Sequence, residues 1–299
     1  MRSSMGLLLA VALVSSGSAK ERAVRQLAPS TQWVVDYADD SCSLGRGFGV
    51  GDQKVTLFFD QYEPGDTFNL TFVGKPMYVE TGSPNATVQF GPNEVAADET
   101  AVSATTKNTP AIILQGTQRL GPLTDAEKAS RKRIGEDAPP AALPPVGAAR
   151  EKAATWLRLG KVLPFDLLLE TGPMDAPLAA LRECSWDMVK SWGLDVELQK
   201  HLSRKAFPTR PSYDWFSDND YPAAMLKEGA QAIVNFRLLI DETGRVSSCK
   251  IQTSTRPKQF DDVVCAIVMK KARFHPALDA QGKPVPSFWR QTVSFRIAG

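Results

Sequence analysis

Residues 230–254, AQAIVNFRLLIDETGRVSSCKIQTS, indicate a β-hairpin. Apolar side chains recur at every second position from Ala232 to Ile240, which is the period of a strand with one buried face. The polar run DETG at 241–244 predicts a tight turn, because aspartate and glycine favour turn conformations. Residues 245–254 then return as a second strand.

The residues after this hairpin predict a helix and a final strand. Apolar positions in 259–272 recur at spacings of three and four, which is typical of a helix with one buried face. This stripe consists of Phe260, Val263, Val264, Ile267 and Val268. In residues 289–297 the alternation predicts that Trp289, Val293, Phe295 and Ile297 point inward and that Arg290, Thr292, Ser294 and Arg296 point outward. The resulting order is ββαβ, in which one helix covers one face of a small sheet.

The first two thirds of the chain predict a mostly β domain that also contains helices. Short apolar runs at 55–59, 68–73 and 87–90 are separated by the turn sequences EPGD and GSPN, as in antiparallel strands. Residues 149–159 and 177–192 have helical character, and the second segment is amphipathic. Its predicted buried face consists of Leu178, Leu181, Ser185, Met188 and Trp192. The fold class of the whole chain is therefore predicted to be α+β.

Breaks in composition suggest where the domains begin and end. Pro208 and Pro211 lie close together and are followed by the polar run SDND at 217–220, which indicates a boundary. We predict an N-terminal α+β domain over 20–205, with a Pro-rich loop near 136–147, a linker over 206–220, and a C-terminal domain over 221–299.

The first residues have the features of an export signal. Arg2 precedes an apolar run over 5–14, and small residues follow up to Ala19. This run is shorter than the roughly 20 residues that span a bilayer, so we expect a signal peptide over 1–19, cleavage after Ala19, and a periplasmic protein. If the segment is not cleaved, it anchors the protein at the inner membrane.

Four cysteines in an exported chain predict disulfide bonds, because the compartment outside the inner membrane is oxidising. Three pairings of Cys42, Cys184, Cys249 and Cys265 are possible. The domain boundary separates the first two from the last two, which favours Cys42 with Cys184 and Cys249 with Cys265. The second bridge would join the second strand of the hairpin to the helix over it.

The composition and the motifs do not indicate catalysis or a cofactor. The net charge is only +2, which does not favour nucleic acid as a partner. The glycine-rich run at 45–51 precedes a strand pattern, whereas a phosphate-binding loop precedes a helix. The cysteines lack CxxC spacing, and His201 and His275 lie far apart, so no metal site is predicted. We expect no catalytic residues, no cofactor and no enzymatic activity.

Three short motifs in this order resemble the C-terminal domain of the TonB family. They are Tyr221-Pro222 at the start, Gly244 in the hairpin turn and the run RFHPA at 273–277 after the helix. The resemblance covers about residues 220–298. It implies a domain that binds extended segments of TonB-dependent outer-membrane receptors, or of other envelope proteins, by adding a strand to the edge of its sheet.

The resemblance also suggests which residues contact the partner. Tyr221 and Pro222 match the opening motif, and residues 290–296 match the strand that pairs with receptors. By position, the partner-binding residues are Tyr221, Pro222, Arg290, Thr292, Ser294 and Arg296. Structural roles for Tyr221, Pro222 and the last strand are an equally good interpretation of the same positions.

Two features differ from those of an energy-transducing TonB. Such a protein needs a membrane anchor and a long Pro-rich spacer, whereas here the apolar segment looks cleavable. The Pro-rich stretch at 136–147 extends only about 37 Å as a polyproline II helix. Two hypotheses therefore remain: a protein that couples to transmembrane transport, and a soluble periplasmic interaction module without an energy-transducing role.

Overall fold

A computed structural model describes residues 22–80, 84–121, 143–254 and 258–297. The predicted signal peptide over 1–19 and residues 136–142 of the Pro-rich stretch lie outside these ranges. Residues 143–147 of that stretch have irregular structure. No helix in the described ranges combines the length and the apolarity needed to cross a bilayer.

The described part of the N-terminal domain is built around one large sheet. Its strands are β1 Val24–Leu27, β2 Val34–Tyr37, β3 Cys42–Phe48, β4 Val55–Gln61, β5 Thr67–Val73, β6 Asn85–Phe90, β7 Ala97–Thr106, β8 Thr109–Leu114, β9 Gln118–Arg119, β10 Leu157–Gly160 and β11 Asp166–Leu169. The strand order is β1-β11-β10-β6-β7-β8-β5-β4-β3-β2, and β9 pairs with β5. The residues after β1 return to β3, because the amides of Ser30 and Gly49 donate to the carbonyls of Gly47 and Ala28. The sheet therefore closes on itself.

The inner face of this sheet encloses the N-terminal core. Alternate residues of β4 are fully buried, as the period of a strand requires. Aromatic rings fill the interior: Phe59 lies 4.8 Å from Phe68, and Phe68 lies 5.9 Å from Phe90, both in edge-to-face geometry. Such pairs add about 0.5–1.5 kcal/mol each beyond the burial of their area.

The described helices are short, with two exceptions. They are α1 Ala148–Ala153, α2 Asp175–Ser191, α3 Val196–Lys200, α4 Ala223–Lys227 and α5 Lys258–Lys271. The helix predicted over 177–192 agrees closely with α2, which packs against β3 through its buried face.

The helix predicted over 149–159 is wrong in its second half. Only α1 is helical, and residues 157–160 form β10 between β6 and β11. Leu157 and Leu159 are both fully buried in the sheet. Their pairing with two neighbouring strands outweighs the weak helical propensity of the segment, because propensity contributes less than tertiary packing.

The C-terminal domain has the predicted ββαβ order. Its strands are β12 Phe207–Pro208, β13 Ala232–Ile240, β14 Val246–Ser254, β15 Phe274–His275, β16 Ala277–Leu278, β17 Pro284–Val285 and β18 Ser287–Phe295. The main sheet has the order β14-β13-β18. One face of this sheet, which we call the first face, packs against the buried stripe of α5. The inward residues of β13 lie on this face and are fully or almost fully buried. The α+β fold class is confirmed.

Residues 206–220, for which we predicted a linker, pack against the C-terminal sheet and helix. β12 pairs with β15. Trp215 is completely buried, with its ring 5.3 Å from that of Trp289 and 5.7 Å from that of Phe274. The segment thus shares the core of the C-terminal domain.

Both predicted disulfides are present. Cys42 of β3 is bonded to Cys184 of α2, and Cys249 of β14 is bonded to Cys265 of α5. Their sequence separations are 142 and 16 residues. In the chain-entropy model these loops stabilise the folded chain by about 5 and about 3 kcal/mol.

The two bridges are expected to differ in their rate of reduction. Cys42 and Cys184 are buried, whereas Cys249 and Cys265 are partly exposed. Thiol–disulfide exchange requires access of the attacking thiolate, so mild reductant under native conditions should open Cys249–Cys265 first. Alkylation followed by peptide mass mapping checks this order. Earlier labelling of Cys42 and Cys184 would contradict it.

Candidate partner-binding edge

β18 is an edge strand of the C-terminal sheet. It pairs with β13 in an antiparallel register that runs from Ser287 opposite Ile240 to Phe295 opposite Ala232. In the part of the chain that the structure describes, the backbone hydrogen bonds of β18 run to β13. Its other edge therefore presents backbone N–H and C=O groups that another strand can bind.

The two faces of β18 have different surroundings. Trp289, Val293 and Phe295 pack into the core below α5, as predicted. Ile297, predicted to point inward, lies beyond the end of β18 and is exposed. Arg290, Thr292 and Ser294 lie on the opposite face, which we call the second face of the sheet.

The N-terminal domain covers part of this second face, and Arg290 is buried there. Its guanidinium lies 4.9 Å from the ring centre of Tyr62, and its Nη1 lies 3.9 Å from Oε1 of Glu63. Its Nε donates to Oε1 of Gln252 at 3.1 Å. Burial lowers the pKa of Arg290, and the negative charge of Glu63 opposes that shift. The sequence predicted an outward residue here but contained no signal for the contact with another domain.

The remaining predicted residues of the last strand stay exposed. Thr292 and Ser294 lie on β18, and Arg296 follows it. The Thr292 hydroxyl donates to Oδ1 of Asn235 on the neighbouring β13 at 2.5 Å. These three residues form a polar margin beside the open edge.

Tyr221 and Pro222 lie at the far end of β18. The Tyr221 hydroxyl donates to the carbonyl of Ala230 at 2.5 Å, and its ring contacts Phe260 and Phe295 at 5.6 Å each. Pro222 immediately precedes α4, where its fixed φ suits the start of a helix. The structure thus brings Tyr221 next to β18, in contacts that hold the chain entering the domain.

A second cluster on the same face joins the two domains. Nη1 of Arg237 lies 3.1 Å from Oδ1 of Asp40, and Nζ of Lys250 lies 3.3 Å from Oδ2 of the same carboxylate. The Arg237 guanidinium also lies 4.1 Å from the ring centre of Trp192. Burial lowers the pKa of Arg237, and Asp40 opposes this shift.

Sequence reasoning missed this cluster, although one signal pointed to it. Arg237 occupies an outward position of the central strand of a three-stranded sheet, where a charge needs either water or a partner. Gln252 adds two further contacts across the boundary, since its amide donates to the carbonyls of Asp40 and Tyr62 at 3.1 and 2.8 Å.

The glycine-rich run, the acidic run at 218–220 and His275 each have a structural role. The glycine-rich run at 45–51 lies in β3 and in the turn that follows it. Residues 218–220 form a helical turn that is capped by Ser217. The His275 ring stacks on Phe207 at 4.5 Å. Within the described ranges, no group of three or more potential ligands is placed to hold a metal ion.

The comparisons with known proteins identify a family for the C-terminal part of the chain. No curated protein matches the chain. Residues 217–297 match the family model described as "Gram-negative bacterial TonB protein C-terminal", and this region of the protein is therefore a TonB C-terminal domain.

Proposed function

We propose that this protein is a TonB-like envelope protein that binds extended segments of outer-membrane receptors by strand addition at β18, in connection with transmembrane transport. The observation that carries the proposal is the open edge of β18 in a domain of this family. The family is a non-enzymatic protein-interaction and energy-transducing domain, so we propose no catalytic role.

The physical properties of β18 suit this role. An added strand gains a row of backbone hydrogen bonds, each with a net contribution of about 0.5–1.5 kcal/mol. Thr292 and Ser294 are exposed and polar, so the second face of β18 carries polar side chains beside this edge. Partner side chains that alternate between the two faces would then determine specificity.

The proposed location is the periplasm. The family is associated with the cell envelope, and the export signal expected over 1–19 supports this proposal. The proposed partners are TonB-dependent receptors or other envelope proteins, and not nucleic acid.

The second candidate is a periplasmic interaction module without an energy-transducing role. The observation that favours it is the packing of the N-terminal domain directly on the second face of the sheet, through Arg237 and Arg290. A spacer that reaches across the periplasm needs an extended segment, whereas residues 206–220 pack against the domain core. Recovery of the protein in the inner-membrane fraction at full length would favour energy transduction instead.

Hydrogen exchange in the presence of a receptor peptide tests strand addition. A synthetic peptide that carries a TonB box should slow amide exchange in residues 287–295 and leave residues 246–254, on the other edge strand, unchanged. Equal protection of both edge strands, or protection of neither, would contradict binding at β18.

Two proline substitutions sharpen this test. Backbone N–H groups of a strand point alternately to its two edges, so those of Gln291 and Ser294, three residues apart, point to opposite edges. One of the variants Gln291→Pro and Ser294→Pro therefore removes a bond to β13 and should lower the free energy of unfolding by about 1–3 kcal/mol. The other should melt like the wild type and bind the peptide at least about tenfold more weakly. Unchanged peptide affinity in the stable variant would refute strand addition.

A further inference from the structure

The N-terminal sheet has a cleft at the place where it closes on itself. β1 pairs with β11 as far as Leu27 and Leu169, and the residues after β1 then turn away to bond with β3. The chain after β11 turns the other way, since the amide of Gly172 donates to the carbonyl of Thr155. The cleft at this seam has a volume of about 560 Å³, which suits a small ligand. Its lining includes Gln26, Arg46, Thr155, Trp156, Glu170 and Gly172.

The side chain of Arg46 is held firmly at this seam. Its Nε donates to the carbonyl of Thr31 at 2.9 Å, and its Nη1 donates to that of Thr171 at 2.8 Å. The indole N–H of Trp33 donates to the same Thr171 carbonyl at 3.3 Å, and the Trp33 ring centre lies 5.5 Å from the guanidinium. The cation is therefore in place before a ligand arrives, which reduces the entropy cost of binding.

Open space lies beside this guanidinium. Gly172 has φ +67° and lines the cleft. Leaving aside its chain neighbours, the only atom of the described residues within 4 Å of an added Cβ would be Nη1 of Arg46, at 4.0 Å. A ligand group that occupies the space above Gly172 thus meets the cation directly.

The cleft contains one cation and one anion, and neither has an ionic partner in the described ranges. The Arg46 guanidinium donates only to neutral carbonyls, and burial lowers its pKa. Glu170 accepts from the neutral amide of Gln26, and it forms no ion pair with Arg46. A guanidinium has five donors, so several remain free to bind a carboxylate.

We propose that this cleft binds a short peptide with free termini. The peptide carboxylate accepts from Arg46, the ammonium group lies near Glu170, and an apolar side chain packs along Trp156. A ligand with a carboxylate alone would leave the charge of Glu170 uncompensated, whereas a zwitterion compensates both charges of the cleft. The site lies in the N-terminal domain, and the proposal does not depend on strand addition at β18.

Titration calorimetry on the full chain with glycyl-phenylalanine tests the proposal. We expect a Kd of about 0.1–1 mM, as the usual affinity per heavy atom gives for a ligand of this size. The C-terminal amide of the dipeptide should bind at least about tenfold more weakly, because it loses charge-assisted hydrogen bonds to Arg46. The N-acetylated dipeptide should bind about fivefold more weakly, because it loses the attraction of Glu170.

Two asparagine substitutions assign the binding to the cleft. Asparagine tolerates a positive φ, so Gly172→Asn fills the space beside Arg46 and should weaken binding of the dipeptide at least about tenfold. Gly229→Asn is the matched control, because Gly229 has φ +65° and no described atom lies within 4 Å of its added Cβ. It should bind the dipeptide like the wild type. Circular dichroism of both variants checks that they are folded.

A charge substitution assigns the ammonium group. Glu170→Gln retains an oxygen that accepts from Gln26 and should remove the difference between the free and the acetylated dipeptide. The control Asp98→Asn makes the same change in net charge at an exposed residue that pairs with Lys161, and should keep that difference.

Three results would overturn the proposal. The first is that glycyl-phenylalanine does not bind at concentrations well above the expected Kd. The second is that the dipeptide and its amide bind equally well, which would remove the role of Arg46. The third is that Gly172→Asn and Gly229→Asn bind alike, which would place the ligand outside this cleft.

Discussion

Asp40→Ala is expected to uncouple the two domains and to lower the free energy of unfolding by up to about 3–5 kcal/mol. The carboxylate of Asp40 lies within 3.3 Å of both Arg237 and Lys250, and the Arg237 side chain is only 8% exposed. Removing one partner of a buried ion pair leaves an uncompensated charge, which is more costly than the pair itself is favourable.

Water can reach Arg237 only if the N-terminal domain moves away from the second face. The expected observation in calorimetry is therefore a melting profile that separates into two transitions in the variant. Asp39→Ala is the matched control, because Asp39 is exposed and its contact with Trp192 is made by the backbone carbonyl, which alanine retains. Equal profiles for the two variants would show that the Asp40 cluster does not hold the domains together.

Trp215→Ala is expected to destabilise the C-terminal domain by about 3–5 kcal/mol. The side chain is completely buried between Phe274 and Trp289, and its removal leaves a cavity that the rigid sheet cannot fill. Urea unfolding followed by fluorescence and circular dichroism measures the loss.

The control for this prediction lies two residues away. Tyr213 is 75% exposed, so Tyr213→Ala should change the free energy of unfolding by less than about 0.5 kcal/mol. A small effect of Trp215→Ala would mean that residues 206–220 act as a linker after all. A large effect would place them in the folded unit together with residues 221–297.

Local periodicity accounts for what sequence reasoning predicted correctly. The alternation in β13, the spacing in α5 and the glycine of the hairpin turn each depend on residues within a few positions of one another. Gly244 meets a local and a distant requirement: its φ of +80° suits the turn, and an added Cβ would lie 1.9 Å from the carbonyl oxygen of Phe274, which is far away in the sequence. The disulfide pairing followed from the predicted domain boundary, which separates Cys42 and Cys184 from Cys249 and Cys265.

The sequence by itself therefore determined the α+β class and the ββαβ order, and its resemblance to the TonB C-terminal domain indicated which strand is the partner-binding edge. Only the tertiary structure decided that residues 157–160 form a strand, that residues 206–220 pack into a core, and that Arg290 is covered by Tyr62. These features depend on side chains that are distant in sequence, and no period along the chain records which surface will cover another. An outward charge such as Arg237 has the same pattern whether it faces water or a carboxylate of another domain, because burial is a property of the assembled fold.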